Sequence, residues 1–364
     1  MEPYHILVVD DSVFMRKIIT DLISEDPRFK VIGTARNGKE AIEQVKLLRP
    51  HAVTMDIEMP EMNGLDALRQ IMAQQPTPVV MLSSLTQDGA METIRALELG
   101  AVDFICKPSG SISLDLHKVK RMLHEKLQMA VNTRMRTIQG GTPIRIPPPA
   151  ETKVSWVKQP PETDKSALKS TQFGHLVAIG TSTGGPRALQ QVITQIPADF
   201  PAPILIVQHM PPNFTKSLAN RLNDISRIQV LEAQEGDVLQ TATAYIAPGG
   251  WHMTVFRDSS RCFRIRLSKE EPRSGHRPSV DVMFESLLGL KEWKRHVVLM
   301  TGMGSDGAKT MLALRQDGAA TTIAESEETC VVYGMPRAAV ELKGAMHILP
   351  QRDIAPKLVQ AVFA

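Results

Sequence analysis

The sequence predicts an α/β fold that is built twice, as two doubly wound units with parallel sheets joined by a linker. In both units, apolar runs of strand length alternate with stretches of helical periodicity. Between about residues 130 and 172 this periodicity stops, and the chain becomes rich in Pro, Thr and charge. Because 364 residues exceed what one hydrophobic core usually serves, we expect two domains, at 1–124 and 173–364, with a linker at 125–172.

The first unit contains four strand candidates, each of which ends in polar residues. In chain order they are HILVVDD, HAVTMD, PVVMLSS and VDFICKP. Apolar residues from Phe14 to Ile23 recur at the spacing of one helix face, and Gly and Asn residues mark the turns. An amphipathic stretch from about Leu114 to Met129 closes this unit.

The second unit opens with the strand candidate HLVAIG and repeats the alternation. Further strand candidates are PILIVQH, AYIAPG, HVVLMTG, ATTIAE and MHILP, with helical stretches at about 187–195, 281–290 and 308–316. The runs WHMTVFRD and CFRIRLS, separated by three residues, predict a β-hairpin inserted into the alternation.

Five polar residues follow the strand candidates of the first unit: Asp10, Asp11, Asp56, Ser83 and Lys107. The carboxyl ends of parallel strands meet at one edge of a sheet, so we expect these side chains together. Neighbouring carboxylates repel one another unless a cation joins them, and Mg²⁺ takes oxygen ligands. A lysine and a hydroxyl suit an incoming phosphoryl group. Singly, each residue has a structural alternative, such as a helix N-cap for Asp11, but together they predict phosphorylation of one Asp.

The motifs LVVDDS, MDIEMPEMNG, MLSSLT and FICKP resemble the receiver domain of two-component response regulators over about the first 124 residues. The resemblance implies a flavodoxin-like receiver in which Asp56 is phosphorylated by a histidine kinase. It also implies that Asp10, Asp11 and Asp56 hold Mg²⁺ together with the backbone carbonyl of Glu58. The hydroxyl and the lysine named above would contact the phosphoryl group.

A second chemical site is predicted at residues 180–184, which read Gly-Thr-Ser-Thr-Gly between a strand candidate and a predicted helix. At such a turn Ser182 exposes its hydroxyl above the sheet, beside backbone N–H groups suited to an oxyanion. A Walker-type phosphate loop is excluded because no Lys follows the glycines. A plain Gly-rich turn with a Ser N-cap explains this segment about equally well when it is taken alone.

Polar residues at two other strand ends favour the interpretation of Ser182 as a nucleophile. His209 follows PILIVQH, and Asp306 lies in the loop after HVVLMTG. A Ser nucleophile needs a base, and a His base needs a carboxylate to fix its tautomer, so Ser182, His209 and Asp306 supply complementary roles. Their order along the chain differs from the Ser, Asp, His order of the α/β-hydrolases, so that fold is not expected.

The loop around Asp306 has a competing interpretation as a dinucleotide site. Gly302, Gly304 and Gly307 form a Gly-x-Gly-x-x-Gly pattern, and Glu325 ends the next strand candidate near the position of a ribose-binding acid. The Asp306 carboxylate would, however, stand where the pyrophosphate belongs, with no Lys or Arg in the loop to compensate its charge. We therefore disfavour a dinucleotide cofactor.

The motifs GTSTGGP, QHMP, RPSVD and TGMGSDG make residues 173–364 resemble the catalytic domain of the CheB protein-glutamate methylesterases of bacterial chemotaxis. The resemblance implies a Rossmann-like α/β esterase domain in which Ser182 is the nucleophile, His209 the base and Asp306 its orienter. Backbone donors at Thr183 and Met303 would stabilise the oxyanion. The implied substrates are methyl-accepting chemoreceptors, whose γ-methyl glutamate esters are cleaved and whose particular glutamines are deamidated, with no cofactor for ester hydrolysis.

Two further histidines are left out of the catalytic set. His276 belongs to a segment, residues 276–279, that either lines a substrate groove or forms an exposed capping loop. His252 is interpreted as a strand residue rather than a ligand.

The composition excludes several other classes of function. A net charge of +3 and an aromatic content of 4% supply no nucleic-acid surface. Cys106, Cys262 and Cys330 form no C-x-x-C pair, which argues against zinc and disulfides and fits a reducing compartment. No apolar run approaches the roughly 18 residues of a membrane span, so we expect a cytoplasmic protein without membrane insertion.

The sequence therefore predicts a phosphorylation-regulated hydrolase of receptor methyl esters that serves adaptation in chemotaxis. A response regulator whose output is a non-enzymatic binding module is the alternative from another class. Release of methanol from methylated receptor fragments distinguishes these two functions.

Overall fold

The computed structural model describes residues 2–84, 86–107, 113–133, 174–258 and 262–364. Within these residues the chain forms two α/β units with parallel sheets, so the predicted fold class is confirmed. The predicted linker from residue 134 onward and the hairpin turn at 259–261 lie outside the described residues.

The N-terminal unit is a five-stranded parallel sheet in the order β2-β1-β3-β4-β5. The strands are β1 (Tyr4–Val9), β2 (Phe29–Ala35), β3 (Ala52–Asp56), β4 (Val79–Ser83) and β5 (Asp103–Cys106). The helices are α1 (Val13–Ser24), α2 (Gly38–Leu48), α3 (Gly64–Gln74), α4 (Gln87–Glu98) and α5 (Ser113–Asn132). The strand order reverses between β1 and β3, which makes their carboxyl ends the expected ligand site of this sheet.

The first four helices each begin after a polar side chain that caps them. The caps are Ser12, Asn37, Asn63 and Thr86, and each accepts a hydrogen bond from the backbone N–H three residues later. Helix α1 is therefore capped by Ser12, which leaves the carboxylate of Asp11 free of that structural task. Helix α5 continues to Asn132, past residue 124, and the domain limits given above stay a prediction.

The C-terminal unit is a seven-stranded parallel sheet in the order β14-β13-β12-β6-β7-β9-β8. Its strands are β6 (His175–Thr181), β7 (Ile204–Gln208), β8 (Gln229–Glu232), β9 (Thr243–Ile246), β12 (Lys294–Leu299), β13 (Thr321–Glu325) and β14 (His347–Leu349). The predicted hairpin is present as an antiparallel pair, β10 (His252–Arg257) and β11 (Phe263–Ser268). The helices are α6 (Gly185–Ile193), α7 (Phe214–Ile225), α8 (Val280–Glu285), α9 (Ala308–Gln316), α10 (Met335–Glu341) and α11 (Gln351–Phe363).

Two strands, β2 and β8, were not among the sequence candidates, and both are edge strands. Only Phe29 and Ala35, at the two ends of β2, and Val230 in β8 are buried, so both strands lack the continuous buried apolar run of a central strand. Helix α8 is also shorter than predicted. The Ser286 hydroxyl donates to the carbonyl of Met283 and accepts the N–H of Val255 in β10, which ends the helix at Glu285.

The two units pack against each other through β5, α4 and α5 of the first and α6 and α7 of the second, in part through one continuous apolar cluster. The rings of Phe104 and Phe214 stack with their centroids 4.7 Å apart. Beside them, the guanidinium of Arg221 donates to the carboxylate of Glu98 at 2.8 Å. No helix among the described residues combines the length and the apolar character needed to cross a bilayer.

Candidate active site and phosphorylation site

The turn that carries Ser182 lies at the switch point of the C-terminal sheet. The sheet order reverses at β6, which has β7 on one side and β12 on the other, so the loops after these three strands meet. Ser182 is the first residue after β6, and Gly184, with φ of 78°, caps helix α6. The side-chain amide of Gln208 donates to the carbonyl oxygen of Ser182 at 2.9 Å and holds the turn against the end of β7.

His209 and Asp306 are brought together as predicted from their strand ends. The Nε2 atom of His209 lies 2.8 Å from Oδ2 of Asp306, and both side chains are almost fully buried. Because an ionised carboxylate can only accept, Nε2 carries the hydrogen of this bond. The Nδ1 atom of His209 is buried and has no partner within the described part of the chain. Its lone pair is therefore available to accept a proton.

The carboxylate of Asp306 is held ionised by donors at the start of helix α8. It accepts hydrogen bonds from the backbone N–H groups of Val280 at 2.7 Å and Asp281 at 3.0 Å and from the Ser279 hydroxyl at 2.9 Å. Burial by itself would raise the pKa of Asp306, but the hydrogen bond and charge of His209 and these backbone donors together lower it below its usual range. Asp306 thus serves as an anionic partner of the imidazole.

Ser182, Thr183, His209 and Met303 all line one cavity of about 610 Å³ between the two units. The opposite wall comes from the N-terminal unit, from β5 and helix α5. The backbone N–H groups of Thr183 and Met303 donate to no acceptor among the described residues, so both stay available to an oxyanion. The cavity therefore combines a hydroxyl, an unpartnered imidazole nitrogen and free backbone donors.

Two residues near this cavity were not assigned from the sequence. The ring of His276 stacks on that of His209 with centroids 3.8 Å apart and an interplanar angle of 8°. Burial, followed by the charge of His209, lowers the pKa of His276 to about 4, so this neighbour is neutral near pH 7. Ser279 is fully buried and caps α8 while it binds Asp306. A Ser before a helix signals a cap, but only the packing of α8 shows what it binds.

Glu325 does not provide the free acid that a dinucleotide site needs. Its side chain is fully buried, and Oε2 accepts the backbone N–H of Thr301 at 2.8 Å. The other oxygen accepts the side-chain amide of Gln351 at 2.6 Å and the hydroxyl of Thr329 at 2.9 Å. Burial raises the pKa of Glu325. These contacts leave no oxygen for a ribose, which agrees with the low weight given to that interpretation.

The acidic residues of the N-terminal unit converge at the ends of β1 and β3, as predicted. One oxygen each of Asp10, Asp11 and Asp56 lies within 4.8 Å of the others. The ammonium of Lys107 lies 2.9 Å from Oδ2 of Asp10 and 2.8 Å from Oδ2 of Asp56. Burial raises the pKa of Asp56 to about 6, in spite of the nearby Lys107 ammonium. The cluster is therefore an anionic site that one lysine only partly neutralises.

Ser83 ends β4 at the same edge, but its hydroxyl contacts helix α4 rather than Asp56. It lies 3.2 Å from the carbonyl oxygen of Gly89 and 2.6 Å from the hydroxyl of Thr93. Glu58 lies in the exposed loop that follows β3. The structure thus places all the predicted residues at one edge, with the Ser83 hydroxyl turned toward α4.

Comparison with known proteins agrees with this two-site arrangement. The family model described as CheB methylesterase matches residues 177–358, and the response regulator receiver domain matches residues 6–117. A protein-glutamate methylesterase/protein-glutamine glutaminase from Geobacillus kaustophilus is 50% identical over 362 residues, which cover 100% of this chain and 99% of the relative. Another protein so described, from Halalkalibacterium halodurans, is 47% identical over 98% of this chain and 97% of its own.

Among solved structures, the Thermotoga maritima CheB methylesterase catalytic domain is 41% identical to this chain. It aligns with a TM-score of 0.49 and covers 51% of this chain and 98% of its own.

Proposed function

The chain belongs to the CheB methylesterase family, and from this premise we propose that Ser182, His209 and Asp306 carry out its ester hydrolysis. The protein is a phosphorylation-regulated protein-glutamate methylesterase and protein-glutamine glutaminase of chemotaxis, in which a receiver is joined to a catalytic domain. One observation carries the residue assignment. Asp306 binds Nε2 of His209 at 2.8 Å, while Nδ1 of the same ring has no partner in the described chain, and His209 and Ser182 line the same cavity.

In the proposed mechanism Ser182 attacks the side-chain ester carbonyl of a methylated glutamate. The hydroxyl proton passes to Nδ1 of His209, and Asp306 stabilises the imidazolium that forms. The negative charge that develops on the carbonyl oxygen is bound by the N–H groups of Thr183 and Met303. His209 then gives the proton to the departing methoxide, and methanol leaves an acyl-enzyme on Ser182.

Water completes the cycle by the same route. His209 removes a proton from water, the hydroxide attacks the acyl carbon, and the proton returns to Ser182 as the glutamate carboxylate is released. With a glutamine side chain the leaving group is ammonia, and the other steps are unchanged. None of these steps needs a metal or an organic cofactor.

We propose that the N-terminal unit regulates access to this site through phosphorylation of Asp56 by a histidine kinase. The residues fit a Mg²⁺ ion in the chemistry of their donors, since Asp10, Asp11, Asp56 and the carbonyl of Glu58 offer hard oxygen ligands. When bound, the ion would neutralise charge on the incoming phosphoryl group. Lys107 would contact that group, and the Ser83 hydroxyl would turn from α4 toward it.

The chemoreceptors are the proposed substrates, and a cytoplasmic location is part of the proposal. In the described structure the N-terminal unit forms one wall of the catalytic cavity. In this proposal, movement of β5 and α5 away from the cavity gives a receptor segment wider access to Ser182. The contacts between the two units supply the proposed physical basis for regulation, because phosphorylation that weakens them would move this wall away from the catalytic residues.

Methanol release from a methylated receptor fragment tests this proposal, with and without the phosphodonor acetyl phosphate. We expect release by the intact chain, a higher rate with the phosphodonor, and loss of at least about 10³-fold in rate for Ser182→Ala. Retained activity in Ser182→Ala would show that another nucleophile operates. Equal rates with and without the phosphodonor would contradict the regulatory part alone.

A further inference from the structure

Thr301 lies between the two loops that carry the proposed oxyanion donors, and no part of it is exposed. It follows β12, two residues before Met303, and faces the turn of Ser182 and Thr183. We propose that Thr301 is a positioning residue that sets the distance between the N–H groups of Thr183 and Met303. This inference rests on the proposed function, because it assumes that these two groups bind the oxyanion.

The first argument is that Thr301 holds the turn on both sides of the peptide that carries the Thr183 N–H. Its backbone carbonyl accepts the N–H of Ser182 at 3.0 Å. Its hydroxyl donates to the carbonyl oxygen of Thr183 at 2.9 Å. The peptide bond between Ser182 and Thr183 lies between these two hydrogen bonds, so Thr301 helps to aim its N–H, together with Gln208, which holds the carbonyl of the same peptide.

The second argument is that Thr301 is itself held in place from behind. Its backbone N–H donates to Glu325 at 2.8 Å, and its hydroxyl accepts the N–H of Val332 at 3.0 Å. Glu325 is buried, and its second oxygen is bound by Thr329 and Gln351. This network explains why a carboxylate is buried beneath the site, a feature that the hydrolytic mechanism does not otherwise use.

The third argument is that the two loops approach too closely to tolerate a shift. A β-carbon added at Gly302 would lie 2.8 Å from Cβ of Ser182, so only glycine allows this approach. The oxyanion donors must lie within about 0.2 Å of one ideal distance, since their useful range is about 2.7–3.1 Å. A hydroxyl that ties the loops together can therefore affect the rate without touching the substrate.

Thr301→Val tests this inference because valine keeps the shape of the side chain and removes only the hydroxyl. We expect kcat to fall on the order of ten- to a hundredfold with KM nearly unchanged. Thr301→Ser, which keeps the hydroxyl, is expected to restore most of kcat. Thr301→Ala provides a second hydroxyl deletion if the valine variant fails to fold.

Thr322→Val is the matched control for general effects on folding. Thr322 is equally buried, and its hydroxyl also donates to one carbonyl, of Gly344, and accepts one N–H, of Met346. It lies in β13, where it contacts none of the proposed catalytic residues. We expect Thr322→Val to leave kcat within about twofold of the parent value, whatever its effect on stability.

A second readout separates positioning from stability. A trifluoromethyl ketone analogue of the glutamate ester forms a tetrahedral oxyanion on Ser182 and should bind Thr301→Val more weakly, by about the factor lost in kcat/KM. Equal kcat losses in Thr301→Val and Thr322→Val, or no recovery in Thr301→Ser, would overturn the inference. Full activity in Thr301→Val together with an inactive Ser182→Ala would overturn the inference about Thr301 and leave the proposed function intact. An active Ser182→Ala would instead overturn the proposed function.

Discussion

The acidic site of the receiver and the Ser-His-Asp site of the catalytic domain occupy equivalent places in their sheets but are held by different forces. Both lie at the carboxyl edge where the strand order reverses. The receiver site depends on one lysine between two carboxylates. The catalytic site depends on hydrogen bonds from buried backbone and hydroxyl groups, such as those on Asp306. We therefore expect the receiver site to rearrange when a charged phosphoryl group binds, whereas the catalytic site, which is held by backbone donors, keeps its geometry.

Strand β5 connects the two sites. Lys107 follows its carboxyl end and pairs with Asp56, while Asp103 begins the strand at the catalytic cavity. The carboxylate of Asp103 accepts the hydroxyl of Thr183 at 2.6 Å and the ammonium of Lys126 at 2.6 Å. Lys107, the proposed phosphoryl contact, is therefore four positions, about 13 Å of extended chain, from Asp103, which contacts the proposed oxyanion loop.

We expect the largest effect from a substitution that disables the catalytic site and leaves the receiver site intact. In Asp306→Asn the amide can donate toward His209, which favours the tautomer whose Nδ1 is protonated and cannot accept the Ser182 proton. We expect kcat to fall about 10³- to 10⁴-fold, measured as methanol release. Phosphorylation by acetyl phosphate should continue at the parent rate, and a loss of both reactions would mean that the two sites are not independent.

The converse change breaks the receiver site. In Asp56→Asn an amide replaces the carboxylate that is proposed to accept the phosphoryl group, while Asp10 and Asp11 remain as ligands. We therefore expect acetyl phosphate to have no effect on the esterase rate. The measurement is the ratio of methanol release with and without the phosphodonor, which should be one in the variant and above one in the parent. A phosphodonor effect that persists in Asp56→Asn would place the phosphorylation elsewhere.

A third test uses the opposite pH responses of the two units. His296 is buried beside His175, and this burial lowers the pKa of His296 to about 4. Since an unfolded His titrates near 6.5, the unfolded chain takes up a proton between pH 6.5 and 4 that the folded chain refuses. The catalytic domain should therefore lose about 2 kcal/mol of stability from this group between pH 7 and pH 5.

In the receiver, the change of stability with pH that comes from Asp56 has the opposite sign. The folded-state pKa of Asp56, about 6, lies above its unfolded value, so its contribution to stability increases as the pH falls from 6 to 4. Denaturant titrations followed by fluorescence report on the catalytic domain, because Trp251 and Trp293 lie there and no Trp precedes residue 156. We expect His296→Gln, but not a change at exposed His51, to reduce the pH dependence of the unfolding free energy of the catalytic domain. The remainder includes the contribution of His276, whose pKa burial also lowers to about 4. If the unfolding free energy of His296→Gln changed with pH as steeply as that of the parent protein, the assignment of this pH response to His296 would be wrong.

The smallest expected effect sharpens the link through β5. Asp103→Asn removes the charge that holds Thr183 and Lys126, which weakens the contact between the units by part of a charged hydrogen bond. We expect the unphosphorylated protein to release methanol about three- to tenfold faster. Glu43→Gln, on the exposed face of α2, should leave the rate unchanged. A slower rate in Asp103→Asn would mean that the carboxylate supports catalysis instead of restraining it.

Most of the candidate site residues could be predicted because they lie at the ends of strands that the sequence makes visible. Asp56, Ser182 and His209 each lie at the end of a buried apolar run, and such runs are visible in the sequence because central parallel strands are apolar on both faces. The edge strands β2 and β8 were missed because solvent interrupts that pattern. Helix α8 was overextended because the Ser286 hydroxyl takes part in a contact with β10 that sequence periodicity does not contain.

The sequence by itself determined the fold class and the chemical groups at the strand ends. Strands that alternate with helices form a parallel sheet, and the polar residues that follow these strands then lie at the same edge of the sheet. Only the tertiary structure decided which nitrogen of His209 faces Asp306, that the Thr301 hydroxyl binds the carbonyl of Thr183, and that Asp103 reaches Thr183. These contacts join residues about 80 to 120 positions apart. Local propensity acts over a few residues, so contacts of this range follow only from how the loops and the two domains pack.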